Sequence, residues 1–156
     1  MSFMPATASR VPEHTAAHVN RRIDRQIEDS VAYFAEHPDK IDDRLGELDR
    51  EWDIERTLET NAASISLLGL TLGLTLDRRW LFLPLGVAAF LLQHAVQGWC
   101  PPVSVFRRLG VRTAGEIARE RYALKALRGD FEDMSSAGNA LAQARHALAA
   151  AREGAR

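Results

Sequence analysis

A single cysteine, Cys100, in 156 residues rules out an internal disulfide and any four-cysteine zinc site. Excess charge of one sign is also missing. Twenty Lys and Arg against 21 Asp and Glu leave a formal net charge of −1, so no overall field draws in DNA or RNA, and nucleic-acid binding is not expected. The stretch Met1-Ser2-Phe3-Met4-Pro5-Ala6-Thr7-Ala8 has no charged segment followed by an apolar one, so no cleavable signal peptide is expected. No complete catalytic, metal or phosphate-binding constellation occurs along the chain. The expectation is a non-enzymatic protein with no cofactor and no metal.

What the chain does have is a pair of uncharged apolar runs between Ala62 and Val105, separated only by Asp77-Arg78-Arg79. The second run, from Trp80 past Trp99, carries no Asp, Glu, Lys or Arg over more than the roughly 20 residues a helix needs to cross the hydrocarbon core. The first, Asn61 to Leu76, is short for a bilayer, a mismatch that local thinning or snorkelling of Arg78 and Arg79 accommodates. Pro84 lies near the start of the second run, and Gly98-Trp99-Cys100-Pro101-Pro102 closes it, because two prolines forbid continuation of the helical ladder. Trp80 and Trp99 sit at the two ends, as in an aromatic belt. This pattern predicts an all-α membrane protein: a two-span transmembrane hairpin over residues 61–102, flanked on both sides by amphipathic helices. With no signal peptide, the hairpin itself is expected to direct insertion. Arg44, Arg50 and Arg56 upstream and Arg107, Arg108, Arg112 and Arg119 downstream outnumber Arg78 and Arg79 in the turn, which places both termini in the cytoplasm.

The flanks are each too short to bury a large core alone. Residues 1–14 are rich in Ala, Ser, Thr and Pro without an apolar period and are expected to form a mobile arm. Residues 15–60 carry amphipathic helices. In the first of these, Val19, Ile23, Ile27, Val31 and Phe34 recur about once per turn and stop before His37-Pro38, where His37 is a cap or surface residue. In the second, Ile41, Leu45, Leu48, Trp52 and Leu58 form a stripe amid alternating acids and arginines. No proline lies between Asp39 and Leu76, so this helix is free to run unbroken into the first apolar run. Because the flank cannot cover Ile41, Leu45, Leu48 and Trp52 by itself, they are expected to dock onto another subunit. Residues 103–156 read as an interfacial segment, Val103 to Leu109, followed by helices. One has a capping box at Thr113 and Glu116, carries Ile117, Tyr122, Leu124 and Leu127, and stops at Gly129. The last, Asn139 to Arg152, is alanine-rich.

With the hairpin, its turn and the Gly98-Trp99-Cys100-Pro101 exit, residues 56–110 resemble the YgaP-like two-helix domain of bacterial inner-membrane proteins. The resemblance implies a homodimerising hairpin in the bacterial inner membrane. Some members of that family also carry a rhodanese sulfurtransferase domain whose catalytic cysteine lies in its own loop. Here the sole cysteine is Cys100 at the membrane exit, so that activity does not carry over.

Three groups of residues are candidate sites. Gly69 and Gly73 form a GxxxG pattern that Ala62 and Ser66 extend, a small-residue face suited either to self-association or to packing within the hairpin. Gln93, Gln97 and Cys100 share a helical face with His94 adjacent. Polar groups at membrane depth face protein or water, so these serve as contacts to a neighbouring helix or, in a sharper reading, as a vestibule leading to a reactive thiol. Glu13, His14 and His18 are too few for a metal site without further ligands, and a solvated surface is the simpler reading. The expected role is a structural or accessory subunit that self-associates or joins a larger membrane assembly. The alternative is a thiol-dependent redox sensor or sulfur carrier using Cys100.

Overall fold

The computed structural model describes residues 9–131, which are all-helical with no strand. Residues 1–8 of the expected arm and the alanine-rich segment from Asn139 to Arg152 lie outside the described residues. In chain order the helices are α1 (Arg10–Glu13), α2 (Ala17–Glu36), α3 (Ile41–Arg50), α4 (Ile54–Thr75), α5 (Phe82–Gln97), α6 (Pro101–Arg108) and α7 (Ala114–Arg128), with short 3-10 turns at Pro38–Lys40 and Arg78–Leu81. The chain divides into two compact units. The first comprises Met1–Ile23 and Trp52–Ala114, the second Asp24–Glu51 and Gly115–Arg156. Helix α2 supplies its first turns to one and its remainder to the other.

The first unit is built on α4 and α5, which pack against each other as a hairpin. The helix expected to run on from residue 41 is instead broken before α4: Glu51 and Asp53 are extended, and the Asp53 carboxylate accepts the Arg56 N–H at 2.8 Å. An aspartate with its side chain on the first orphan donors is a stronger start signal than the absence of proline is a continuation signal. The Ile54 N–H is satisfied by the Arg112 carbonyl at 2.8 Å. At the other end of the hairpin Asp77 accepts the Arg79 N–H at 2.8 Å and closes the turn. Helix α5 ends where Gly98 takes a positive φ of 73°, and the chain re-enters helix at α6 with Pro101 at its first position.

Close approach of α4 to the returning chain occurs at the small-residue face. Ala62, Gly69 and Gly73 are buried and Ser66 is half-buried. A Cβ on Gly69 would lie 2.7 Å from Pro84 Cδ, and one on Gly73 would lie 2.5 Å from Leu81 Cδ2. Of the two uses the sequence left open, this face is packed inside the hairpin. Below it, Val11, Ile54, Leu58, Cys100 and Val103 form a buried cluster joined by Leu91, Phe106 and Val111. Val11 corrects the expectation of a mobile arm over the described part of residues 1–14: it is 3 % exposed, because α1 supplies an apolar side chain that the base of the hairpin covers.

One stretch among the described residues, Arg78–Gln97, is long and apolar enough to cross a bilayer, and only 6 % of that stretch is buried. Helix α4, the expected first span, falls short of that test. Its first turns hold Glu55, Arg56 and Glu59, and its later ones are diluted by Ser64, Ser66, Thr71 and Thr75.

In the second unit Ile41, Leu45, Leu48, Ile117 and Leu124 form a core that Val31 and Phe34 flank. This corrects the docking expectation for α3. The stripe Ile41, Leu45 and Leu48 is covered by the chain's own α7, whose apolar period matches it, and needs no other subunit. Trp52 is not part of that core. It stays 45 % exposed in the first unit, with the Arg56 guanidinium 4.3 Å over its ring. Glu120, fully buried on α7, accepts from Ser30 Oγ at 2.6 Å and Arg44 Nε at 2.9 Å, so its charge is matched where it is desolvated.

The packing at Gly69 yields a direct test. Gly69→Ala drives a methyl against the rigid Pro84 ring and is expected to destabilise the hairpin by about 1–3 kcal/mol, read as a lower thermal midpoint in detergent with an unchanged oligomeric mass. A changed mass with an unchanged midpoint would assign the face to subunit contacts instead.

Candidate functional site

Three helices of the first unit converge on one carboxylate. Glu55, in the first turn of α4, holds Arg10 Nη2 of α1 on Oε1 at 2.9 Å and His94 Nε2 of α5 on Oε2 at 2.8 Å. Arg10 also donates from Nη1 to the Ala95 carbonyl at 3.1 Å. Gly98 makes that arrangement possible, since a Cβ there would lie 2.6 Å from Arg10 Cβ. The His94 side chain is 5 % exposed, and its Nδ1 is buried with no hydrogen-bond partner. A carboxylate can only accept, so Nε2 donates to it.

Burial pushes the Glu55 carboxyl up, but the hydrogen bonds and charges of His94 and Arg10 outweigh it and hold the group below its ordinary range. Cys100 lies just beyond the end of α5, at the cap of α6, and is 1 % exposed in the apolar cluster. Burial raises its thiol pKa, the Glu55 charge raises it further, and the Val103 backbone N–H offsets only part. The thiol is therefore protonated at neutral pH and behaves as a small apolar side chain.

The predicted polar face is thus split. His94, expected only as a neighbour, is the buried member. Gln93 is half-buried, Gln97 is exposed, and Cys100 is sealed in the core, so no open vestibule leads to the sulfur. Among the described residues no cluster of three or more His, Cys, Asp or Glu is placed to hold a metal ion, and Glu13, His14 and His18 do not converge.

Sequence reasoning missed two residues. Arg10 lay in a segment read as unstructured and carries no periodic signal. Arg107 is 1 % exposed and donates to Thr15 Oγ1 at 3.2 Å, Val111 O at 3.1 Å and Asn20 Oδ1 at 3.0 Å. Its position one turn after the apolar Val103 was a readable hint that it shares that buried face. No family model, curated protein or solved structure matches this chain.

Two outcomes follow from this chemistry. A carboxylate whose folded pKa is depressed contributes stability above its unfolded value of about 4.3 and loses it as pH falls through the folded one. Between about pH 6 and pH 3 the parent should therefore lose thermal stability faster than Glu55→Gln, and parallel curves would show that Glu55 carries no such linkage. Cys100 should resist maleimide at neutral pH, and Cys100→Ala should leave assembly intact. Rapid alkylation of the native protein would restore the thiol reading.

Proposed function

We propose that this chain is a non-enzymatic structural or accessory subunit of the bacterial inner membrane. In this reading α4 and α5 are a two-span hairpin, both termini face the cytoplasm, and the protein self-associates or joins a larger membrane assembly. One observation carries the reading: the outward surface of the hairpin is apolar and no described residue of the first unit covers it. Leu74 is 82 % exposed, Leu76 74 %, Phe82 73 %, and Leu67, Leu85 and Leu92 are each above 60 %. Exposed apolar area on that scale marks a lipid or protein contact.

Three hydroxyls of α4 are compatible with lipid because they bond within their own helix. Ser64 donates to the Thr60 carbonyl at 2.8 Å, Thr71 to Leu67 at 2.9 Å and Thr75 to Thr71 at 2.7 Å, each bonding back one turn. The uncharged part of α4, from Thr60 to Thr75, is about 24 Å long, against a hydrocarbon core of about 30 Å. Arg78 and Arg79 at the turn supply the snorkelling that bridges the difference. The resemblance of residues 56–110 to the YgaP-like hairpin supports the same assignment. The thiol alternative has no such support, since Cys100 is enclosed and protonated.

Carbonate extraction followed by impermeant labelling tests the proposal. With cysteines placed singly at Ser9, Asp77 and Ser136 in a Cys100→Ser background, the protein should stay in carbonate-washed membranes, and only the Asp77 position should label from outside intact spheroplasts. Release by carbonate, or labelling at either tail, sinks the topology.

A further inference from the structure

Just past the hairpin a cavity of about 340 Å³ opens between α6 and the start of α2, lined mainly by His14, Thr15, Val19, Ser104, Arg107 and Arg108. Its size is within the range of small-ligand clefts, about 300–1,000 Å³. Every titratable residue in that lining is a cation or a histidine, and no carboxylate is among them. The nearest acid in sequence, Glu13, accepts from Ser9 Oγ. Arg107 is buried and donates to Thr15, Asn20 and the Val111 carbonyl, so its guanidinium is held in the wall. Arg22 Nη2 holds the Arg108 carbonyl at 2.7 Å and so anchors the end of α6. Ser104 and Arg108 are four residues apart and share one face of α6. His14 approaches from the segment before α2.

We propose that this cavity binds a phosphate group, and that its source is the headgroup of an anionic phospholipid. Donors reaching in from two separate segments suit the tetrahedral spread of phosphate oxygens, with the guanidinium of Arg108 giving charge-assisted hydrogen bonds. The lipid source follows from the neighbouring face of α6. Val105 is 56 % exposed and Leu109 75 %, one turn apart and each beside the cationic face, with the partly exposed Trp99 just before the helix. A short amphipathic helix with an apolar face turned outward and arginines beside it lies in the membrane interface, which sets the cavity at phosphate depth. That source rests on the membrane reading above, whereas the oxyanion chemistry stands without it.

The test uses the full chain in dodecyl maltoside. Native mass spectrometry with added phosphatidylglycerol should show one retained lipid per chain, and equal phosphatidylcholine should show far less. Arg108→Gln should weaken retention about tenfold, Arg108→Lys should recover most of it, and Arg50→Gln, with the same change in net charge outside the cavity, should have no effect. Calorimetric titration with glycerol 1-phosphate is the second arm. Binding as tight as that of the lipid, and equally sensitive to Arg108→Gln, would support the phosphate site and give it a soluble ligand. The proposal is overturned if glycerol 1-phosphate does not bind and the two lipids are retained alike, or if Arg50→Gln weakens binding as much as Arg108→Gln. A chain released by carbonate would fail the membrane reading while the glycerol 1-phosphate arm still decides the cavity.

Discussion

A desolvated carboxylate has to be matched where it sits, and at the base of the hairpin that requirement organises the first unit. Glu55 is shared by an arginine from α1 and a histidine from α5, so the entry of one hairpin helix, the exit of the other and the N-terminal segment are tied to a single group. Removing either partner would leave charge with inadequate compensation in a partly buried site. The close fit of Arg10 over Gly98 and the burial of Val11 follow from the same joint, since α1 is held against the cluster that also encloses Cys100.

The hairpin above this joint is held differently. On the proposed membrane reading, two apolar helices in lipid gain nothing by hiding from water, so their association relies on close backbone approach and contact density. Gly69 and Gly73 supply that approach against Pro84 and Leu81. The hydroxyls of Ser64, Thr71 and Thr75 spend their hydrogen bonds on their own helix. The outer faces are left apolar and exposed among the described residues.

The second unit obeys soluble-protein rules. Its apolar period closes on itself through α3 and α7, and its deeply buried acid among the described residues, Glu120, is met by Ser30 and Arg44. Among the described residues the second unit covers its apolar stripe, whereas the hairpin of the first leaves its outer side chains exposed.

Helix content, the extent of α2, the stop before His37-Pro38 and the end of α7 at Gly129 were all legible in the sequence, whereas the helix read through to Cys100 ends at Gln97, where Gly98 takes a positive φ. Each depends on local chemistry: a period of 3.6, a proline that cannot donate, a glycine that tolerates positive φ. The start of α4 at Asp53 was legible in principle and was misread, because the absence of a breaker was weighed above the presence of a cap. The sequence also exposed the small-residue face but not its partner, since GxxxG has the same pattern whether a second chain or the returning helix fills it. Only tertiary structure could decide that α7 covers Ile41, Leu45 and Leu48, that Arg10 reaches Glu55 across 45 residues of chain, and that His94 rather than Gln93 or Gln97 is the buried polar group. Periodicity reports which residues share a face of one helix. What that face meets is set by long-range contacts, whose sequence separation leaves no local trace.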